Sequence, residues 1–430
     1  MCIHEILQEK AEHGRGDGWS SPGCLNEMNN QELCTIMGDA KPIARSAIVA
    51  EEQWDVAVSR ALAQVQGTPV DVALLFASGA YAGHYPAMLQ MIRHATDASI
   101  VLGCSGEGVV GTRTELERIP ALSLMTLSLP GATLHPVYFT EEMIQNYRTP
   151  QQWRVALDLP LDDVNAWLVF ADPFRLDCEG LINTLSLAYA DLPLLGGLAS
   201  NDMEERRTYV FYNDEVFDEG AVGLAIGGAY TLHPLVSQGC EPIGEPWTIT
   251  HVQDNSMIAT ISNRPAYELL IETITQLTPE LQGRVQNNLL VGLAADEYRD
   301  HFERGSFLIR QLIGVDRHNG ALAIGAFPRV GQTIQFQIRD ATTADRDLKE
   351  LLVQIGARIG DQQPVAGILC TCNGRGEGMF GGPDHDAGAV AQTFGSLPLA
   401  GLFCSGEIGP VGKRSFLHGF TASLALLVKC

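Results

Sequence analysis

The sequence predicts an α/β protein, with mixed α+β as its variant. Internally repeated strand–helix–strand units would form two lobes of mixed sheets with outer helices. Three observations predict it. Short apolar runs of strand length alternate with stretches whose apolar residues recur at helical spacing. One strand–helix–strand pattern comes round three times, each time followed by a further apolar strand. The tetrapeptide Cys-Ser-Gly-Glu occurs twice, at 104–107 and 404–407, and each copy lies 17 positions ahead of the next strand, at Ala121 and Thr421. Apolar strands that do not alternate with polar residues belong to sheets covered on both faces.

Taken in order, residues 1–44 read as a flexible tail, because Gly14, Gly16, Gly18 and the run Ser20-Ser21-Pro22-Gly23 are turn and linker chemistry; Met28 and Met37 offer later starts. Residues 50–66 carry Trp54, Val58, Leu62 and Val65 on one helical face. The first unit then runs from a strand at 72–77 through a helix at 85–94 to a strand at 99–103 and the turn Cys104-Ser105-Gly106-Glu107. The second has Leu168-Val169-Phe170-Ala171, a helix at 181–189, and Leu195 onward to Ala199-Ser200-Asn201-Asp202. The third has Gly367-Ile368-Leu369-Cys370, a helix at 387–394, and Leu399 onward to Cys404-Ser405-Gly406-Glu407. The following strands are 121–127, 221–227 and 421–427.

Between the second and third units the pattern changes. Ser262 or Asn263 reads as the cap of a helix through Leu277, with Pro265 in its first turn. Strands follow at 289–294, 307–313 and 320–326. Residues 333–339 alternate Ile334, Phe336 and Ile338 with polar side chains, the pattern of a half-exposed strand, and 342–356 reads as an amphipathic helix. Pro242, Gly244 and Pro246 mark a boundary, which divides the chain into a tail at 1–44 and domains at 45–242 and 243–430.

Composition narrows the function. Apolar residues make up 46% and charged residues 18%, which is globular, and the net charge of −23 repels phosphate backbones and anionic lipid. Nucleic-acid binding and membrane insertion are therefore not expected, and no apolar run approaches the length of a span. The N-terminus has no apolar signal core, so a cytoplasmic location and free thiols are expected for the ten cysteines.

The segment from Leu74 to Gly111, with Gly103-Cys104-Ser105-Gly106-Glu107-Gly108, resembles the N-terminal half of the FIST domain. Residues 236–244 and Arg264-Pro265-Ala266-Tyr267 resemble the junction of that family's halves, and 307–316, 335–340 and 370–412 its C-terminal half. The resemblance covers about 45–430. It implies a sensory module for small ligands such as amino acids, in stand-alone form, with a signalling protein as partner and no catalytic machinery to carry over.

The residues themselves carry several chemistries. Gly106-Glu107-Gly108-Val109-Val110-Gly111 has the glycine spacing of a dinucleotide loop, but the next stretch is short and Pro120 ends it. Cys104-Ser105-Gly106-Glu107 puts Glu107 where a nucleophile elbow needs glycine. A thiol nucleophile at Cys104 or Cys404 would need a positioned histidine, with His385 and His418 available. Cys370 and Cys372 share a strand face and, with Cys404 and His385, suggest soft-metal chemistry, but they lack paired C-x2-C spacing. Packing of small buried thiols accounts for these cysteines more simply. Asn373-Gly374-Arg375-Gly376 forms a glycine loop whose arginine could clamp a carboxylate, with Arg310, Arg339 and Asp340 on other strands, against the reading of ordinary ion pairs.

The expectation is a binding module for a small polar ligand, an amino acid or small carboxylate, without metal or cofactor. Its site would draw on Cys104, Ser105, Glu107, Asn201, Asp202, Arg310, Arg339, Asp340, Asn373, Arg375, Cys404, Ser405 and Glu407. A cysteine-dependent enzyme and a protein-recruitment scaffold are the alternatives.

Overall fold

The computed structural model describes residues 41–430 apart from 68, 202–205, 287 and 361, so the first forty residues of the expected tail and Asp202 lie outside the described residues. Lys41–Cys430 form one compact unit.

The first segment is β1 (Ile43–Ala50), α1 (Trp54–Gln64), β2 (Val72–Ser78), α2 (Tyr85–Thr96), β3 (Ile100–Gly106), the hairpin β4 (Gly108–Gly111) and β5 (Thr114–Glu117), and β6 (Ala121–Ser128). The second is β7 (Ala132–Phe139), α3 (Glu141–Asn146), α4 (Pro150–Ala156), β8 (Ala166–Ala171), α5 (Cys178–Ala188), β9 (Leu194–Leu198), the hairpin β10 (Val210–Tyr212) and β11 (Glu215–Phe217), and β12 (Ala221–Gly228). The third opens with β13 (Tyr230–Ser237). It is then interrupted by β14 (Glu241–Gln253), β15 (Met257–Ile261), β16 (Arg264–Pro265), α6 (Ala266–Gln276), α7 (Pro279–Val285), β17 (Leu289–Ala294), β18 (Phe307–Asp316), β19 (Ala321–Ile324) and β20 (Thr333–Ile338). It resumes with α8 (Ala341–Ile359), β21 (Ala366–Cys372), α9 (Glu377–Phe380), α10 (His385–Phe394), β22 (Leu399–Cys404), the hairpin β23 (Glu407–Val411) and β24 (Arg414–His418), and β25 (Ala422–Lys429).

Three six-stranded sheets share one plan. Their orders are β1-β6-β2-β3-β10-β11, β7-β12-β8-β9-β23-β24 and β13-β25-β21-β22-β4-β5. In each, the two middle strands joined by a helix are parallel and every other pairing is antiparallel. The last two strands of each sheet are a hairpin lent by another segment. The first segment lends to the third sheet, the second to the first, and the third to the second. The chain therefore leaves its own sheet just after β3, β9 and β22.

Side-chain alternation explains the uninterrupted apolar runs. On β2, Val72, Leu74 and Phe76 point into a central core shared by all three sheets, where Phe76 meets Phe170 edge-on at 5.0 Å. Ala73, Leu75 and Ala77 point outward onto α1 and α2. Helices α3–α5 cover the second sheet in the same way, and α8 and α10 the third.

The two Cys-Ser-Gly-Glu copies do not occupy matched positions, contrary to the expectation drawn from their equal spacing. The register is marked by Gly103, Gly196 and Gly401, where a Cβ would lie 1.8 Å from the carbonyl oxygen of Leu75, Val169 and Leu369 on the parallel neighbour. On that register Cys104 corresponds to Leu402, and Cys404 to Gly106. Cys104 pairs with Phe76 inside β3, whereas Cys404 pairs with Cys372 at the end of β22. The offset is two residues, which keeps the same faces inward and so hides in the apolar pattern.

The interrupting segment is a fully antiparallel seven-stranded sheet, β14-β20-β17-β18-β19-β15-β16, with its own core around Ile249, Val291 and Phe336. Two expectations change here. Strand β20 is buried on both faces: Gln335 and Gln337 on its polar face are enclosed, and the Gln335 amide donates to the Gly244 carbonyl at 2.8 Å. Ser262 and Asn263 do not cap α6. They turn β15 into β16 at φ of 50° and 63°, and Pro265 precedes the helix.

Candidate functional site

The three crossovers meet. The Glu107 N–H donates to Ser200 Oγ at 2.7 Å, and that hydroxyl donates to the Phe403 carbonyl at 2.6 Å. Ser405 N–H reaches the Leu198 carbonyl, and Ser105 Oγ accepts from the Tyr209 N–H at 3.0 Å. Ser105 is buried in this framework, and Ser405 is exposed beside it.

Beside the first crossover lies a cavity of about 390 Å³ lined by Ser78, Gly79, Glu107, Arg118, Pro120 and Asn201, among others. It sits at the carboxyl ends of the parallel pair β2 and β3, where open α/β sheets bind ligands. Glu107 and Arg118 are the two ends of the lent hairpin, one residue before β4 and one after β5. They hold each other through Arg118 Nε and Glu107 Oε1 at 3.2 Å, and through the Arg118 N–H and Glu107 carbonyl at 3.1 Å. Asn201 gives Nδ2 to the Arg207 carbonyl at 3.1 Å, and its Oδ1 fills the space that a Cβ on Gly79 would need. Asn373 lines a separate, much smaller cavity that shares Glu107 and Arg118 with the first, and its buried Oδ1 has no hydrogen-bond partner among the described residues. Of the residues singled out in the sequence, Glu107 and Asn201 thus meet at the larger cavity, and Asn373 adjoins Glu107 from the smaller one.

A second cluster is buried at the end of β21. Arg375 closes its fork on an internal carboxylate, with Nε and Nη2 at 2.7 and 2.8 Å from the two oxygens of Asp386. Asp386 also accepts from Thr371 Oγ1 and pairs with His385 Nδ1. Burial pushes its carboxyl up, but Arg375 outweighs this and holds it well below the usual carboxylate range. Arg339 gives Nε to the Phe420 carbonyl at 3.1 Å and lies over the Phe420 ring. Glu407 is fully buried, accepts from the Thr421 N–H at 2.9 Å and lies 3.4 Å from the Cys404 sulfur. Burial pushes it up to about 8.

Other named residues serve elsewhere. Asp340 caps α8 through Thr343 and takes Arg284 Nε at 2.6 Å. Arg310 lies in a separate groove of about 580 Å³ between β18 and α5, 3.6 Å from Glu179. Cys104 and Cys404 sit in the central core, and burial pushes both thiols well above their ordinary value. His418 bonds the Gly409 carbonyl and is pushed down to about 4 by burial, and His385 is held between Asp386 and Asp345. Neither histidine is placed to activate Cys404. Among the described residues no three His, Cys, Asp or Glu side chains converge as a metal would need.

Sequence reasoning missed Arg118, Ser200 and Asp386. Arg118 had a signal: once Gly108–Gly111 and Thr114–Glu117 are read as a hairpin, a basic residue closing it faces the acidic residue that opens it. Ser200 and Asp386 act through tertiary contacts that no local pattern shows.

The family model of the FIST N domain matches residues 71–264, and that of the FIST C domain residues 266–410. An uncharacterised protein of Mycobacterium tuberculosis (strain CDC 1551 / Oshkosh) is 37% identical over 366 residues, 84% of this chain and 92% of its own length. One of Mycobacterium bovis (strain ATCC BAA-935 / AF2122/97) is 34% identical over 391 residues, 90% of this chain and 96% of its own. Among solved structures, a cyanuric acid hydrolase from A. caulinodans aligns with 90% of this chain and 99% of its own at 10% identity and a TM-score of 0.35.

Proposed function

Because the chain belongs to the FIST family, we propose that it senses a small zwitterion of the amino-acid class, bound in the pocket at the ends of β2 and β3, and passes the signal to a protein partner. FIST domains are sensory domains for small ligands. The observation that carries the finer reading is the opposed pair Glu107 and Arg118 at the mouth of a pocket of small-molecule size.

A guanidinium offers a carboxylate two parallel N–H donors, and a carboxylate accepts from an ammonium group. A zwitterion would replace one ion pair with two. The pair it gives up is two-thirds exposed on the arginine side, and exposed pairs contribute little. Asn201 supplies a neutral polar group that orients the ligand.

Glu107 and Arg118 are also the neck of the hairpin β4–β5, whose far side grips the third segment. There Glu117 accepts from the Glu377 N–H at 2.8 Å, and Glu115 from the Ala387 N–H at 2.7 Å. A ligand that parts the neck would shift the hairpin against α10, which gives the relay a physical route. The shared plan of the three sheets supports an internal repeat, and beside the neck of β10–β11 stands a similar pair, Arg207 and Asp218 at 2.9 Å. Unpaired thiols at all seven described cysteines support a reducing compartment, the cytoplasm.

Calorimetric titration with the common amino acids tests the reading. At least one should bind, and Glu107→Gln and Arg118→Gln should each weaken it about tenfold or more. A panel with no binder to the folded protein sinks it, as does a binder indifferent to both substitutions.

A further inference from the structure

We propose that the buried end of β21 holds a small monovalent anion, of chloride or formate size, between Arg339 and Arg375. The side chain of Arg375 is fully buried. Two of its nitrogens serve Asp386, and the third, Nη1, finds no acceptor among the described residues. Arg339 is largely buried and gives Nε to the Phe420 carbonyl, and its Nη2 is likewise buried without an acceptor among the described residues. A buried donor left without a partner is costly, and two from neighbouring guanidinium groups call for one shared acceptor.

The charge count asks for the same thing. Asp386 balances Arg375, and Asp347 balances Arg304 at 2.9 Å while its other oxygen takes Ser237 Oγ and the Gly239 N–H. Arg339 has no carboxylate within 4.0 Å among the described residues, so its charge has no direct counter-ion. Arg375 is near enough to push the charged form of Arg339 down further. Two further carboxyls face the cluster: Glu407, which spends its oxygens on Thr421 and Cys404, and Glu115, which takes the Ala387 N–H; burial raises both to about 8. A water molecule could accept the two N–H groups, but it would leave the charge uncompensated.

Packing beside Nη1 is close. Gly239 has a φ of 63°, and a Cβ there would stand 3.3 Å from Arg375 Nη1 and 2.9 Å from the Ala344 Cβ, so the glycine keeps a side chain off the buried guanidinium. This site is separate from the zwitterion pocket at Glu107.

The test uses the full chain desalted into sodium gluconate at fixed ionic strength. Chloride, nitrate or formate is exchanged for gluconate while the unfolding temperature is followed. We expect a saturable rise for the small anions, and a half-saturating concentration at least about tenfold higher in Arg339→Gln. Amino-acid binding to the same variant should persist, which separates this proposal from the pocket at Glu107. Should Arg339→Gln fail to fold, chloride-35 NMR on the wild-type protein decides: line broadening that nitrate reverses supports the site. A rise that does not saturate or is shared by gluconate, an Arg339→Gln response equal to wild type, or the absence of nitrate-reversible broadening would overturn it.

Discussion

Asp386 gives the strongest test of how the third segment is held. Its carboxylate is 1% exposed and takes two bonds from Arg375, one from Thr371 and one from His385. Asp386→Asn keeps the shape but strands a fully buried guanidinium without its counter-charge. Breaking a buried pair from one side costs about 3–5 kcal/mol. Arg375→Met strands the carboxylate instead and should cost about the same. Replacing both, with Arg375→Met and Asp386→Leu together, removes both charges. What then remains is the Thr371 hydroxyl and the His385 N–H without an acceptor, about 1–3 kcal/mol each. The double variant should therefore lose about 2–6 kcal/mol, comparable to one single variant and short of their sum. Urea unfolding followed by the fluorescence of the buried Trp153 and Trp167 measures all three. Single variants within about 1 kcal/mol of wild type, or a double variant that loses the full sum, would refute the reasoning.

Together with Glu115, likewise raised by burial to about 8, Glu407 governs the alkaline side. Its carboxyl is raised in the folded protein, so the stability it contributes is complete below the ordinary value of 4.5 and is lost as pH rises through about 8. Between those limits it should tilt stability downward by about 1.4 kcal/mol per pH unit, and Glu407→Gln should flatten the slope of unfolding temperature against pH. An unchanged slope would show that Glu407 is ionised throughout. Thiol mapping by mass spectrometry should find Cys430 labelled at once and Cys372 more slowly, with Cys104, Cys370 and Cys404 labelled only on unfolding. Fast labelling of Cys104 or Cys404 in the native protein would revive a thiol chemistry.

Much of the fold was legible because its strands are buried on both faces. Runs such as 72–77 and Ala166–Ala171 have no polar residue to confuse their length, and three of them followed by helices betray the plan. The exchange of hairpins was not legible. A hairpin pairs as well with another segment's strand as with its own, and only the meeting of β4 with β22 reveals where it went. The duplicated tetrapeptide misled for a related reason. A two-residue offset preserves the faces, so Cys104 and Cys404 keep the same apolar surroundings while Glu107 reaches a pocket and Glu407 is buried. The polar face of β20 misled because an alternating strand reads as half-exposed even where its polar side chains are enclosed and bonded, as Gln335 is to the Gly244 carbonyl. Of the candidate site, the glutamate and asparagines stood out as residue types at turns, but their convergence depends on bonds such as Glu107 to Ser200 that join residues 93 apart.

The opposed pair at the hairpin neck makes a demand that a single titration series can meet. Once an amino acid that binds is in hand, calorimetry compares it with the analogue lacking the amino group and the analogue lacking the carboxylate. If Arg118 takes the carboxylate and Glu107 the ammonium, each half-molecule binds at least about tenfold more weakly than the zwitterion, and Arg118→Gln no longer distinguishes the zwitterion from the amine. Equal binding of the carboxylate-only analogue and the zwitterion would contradict the account.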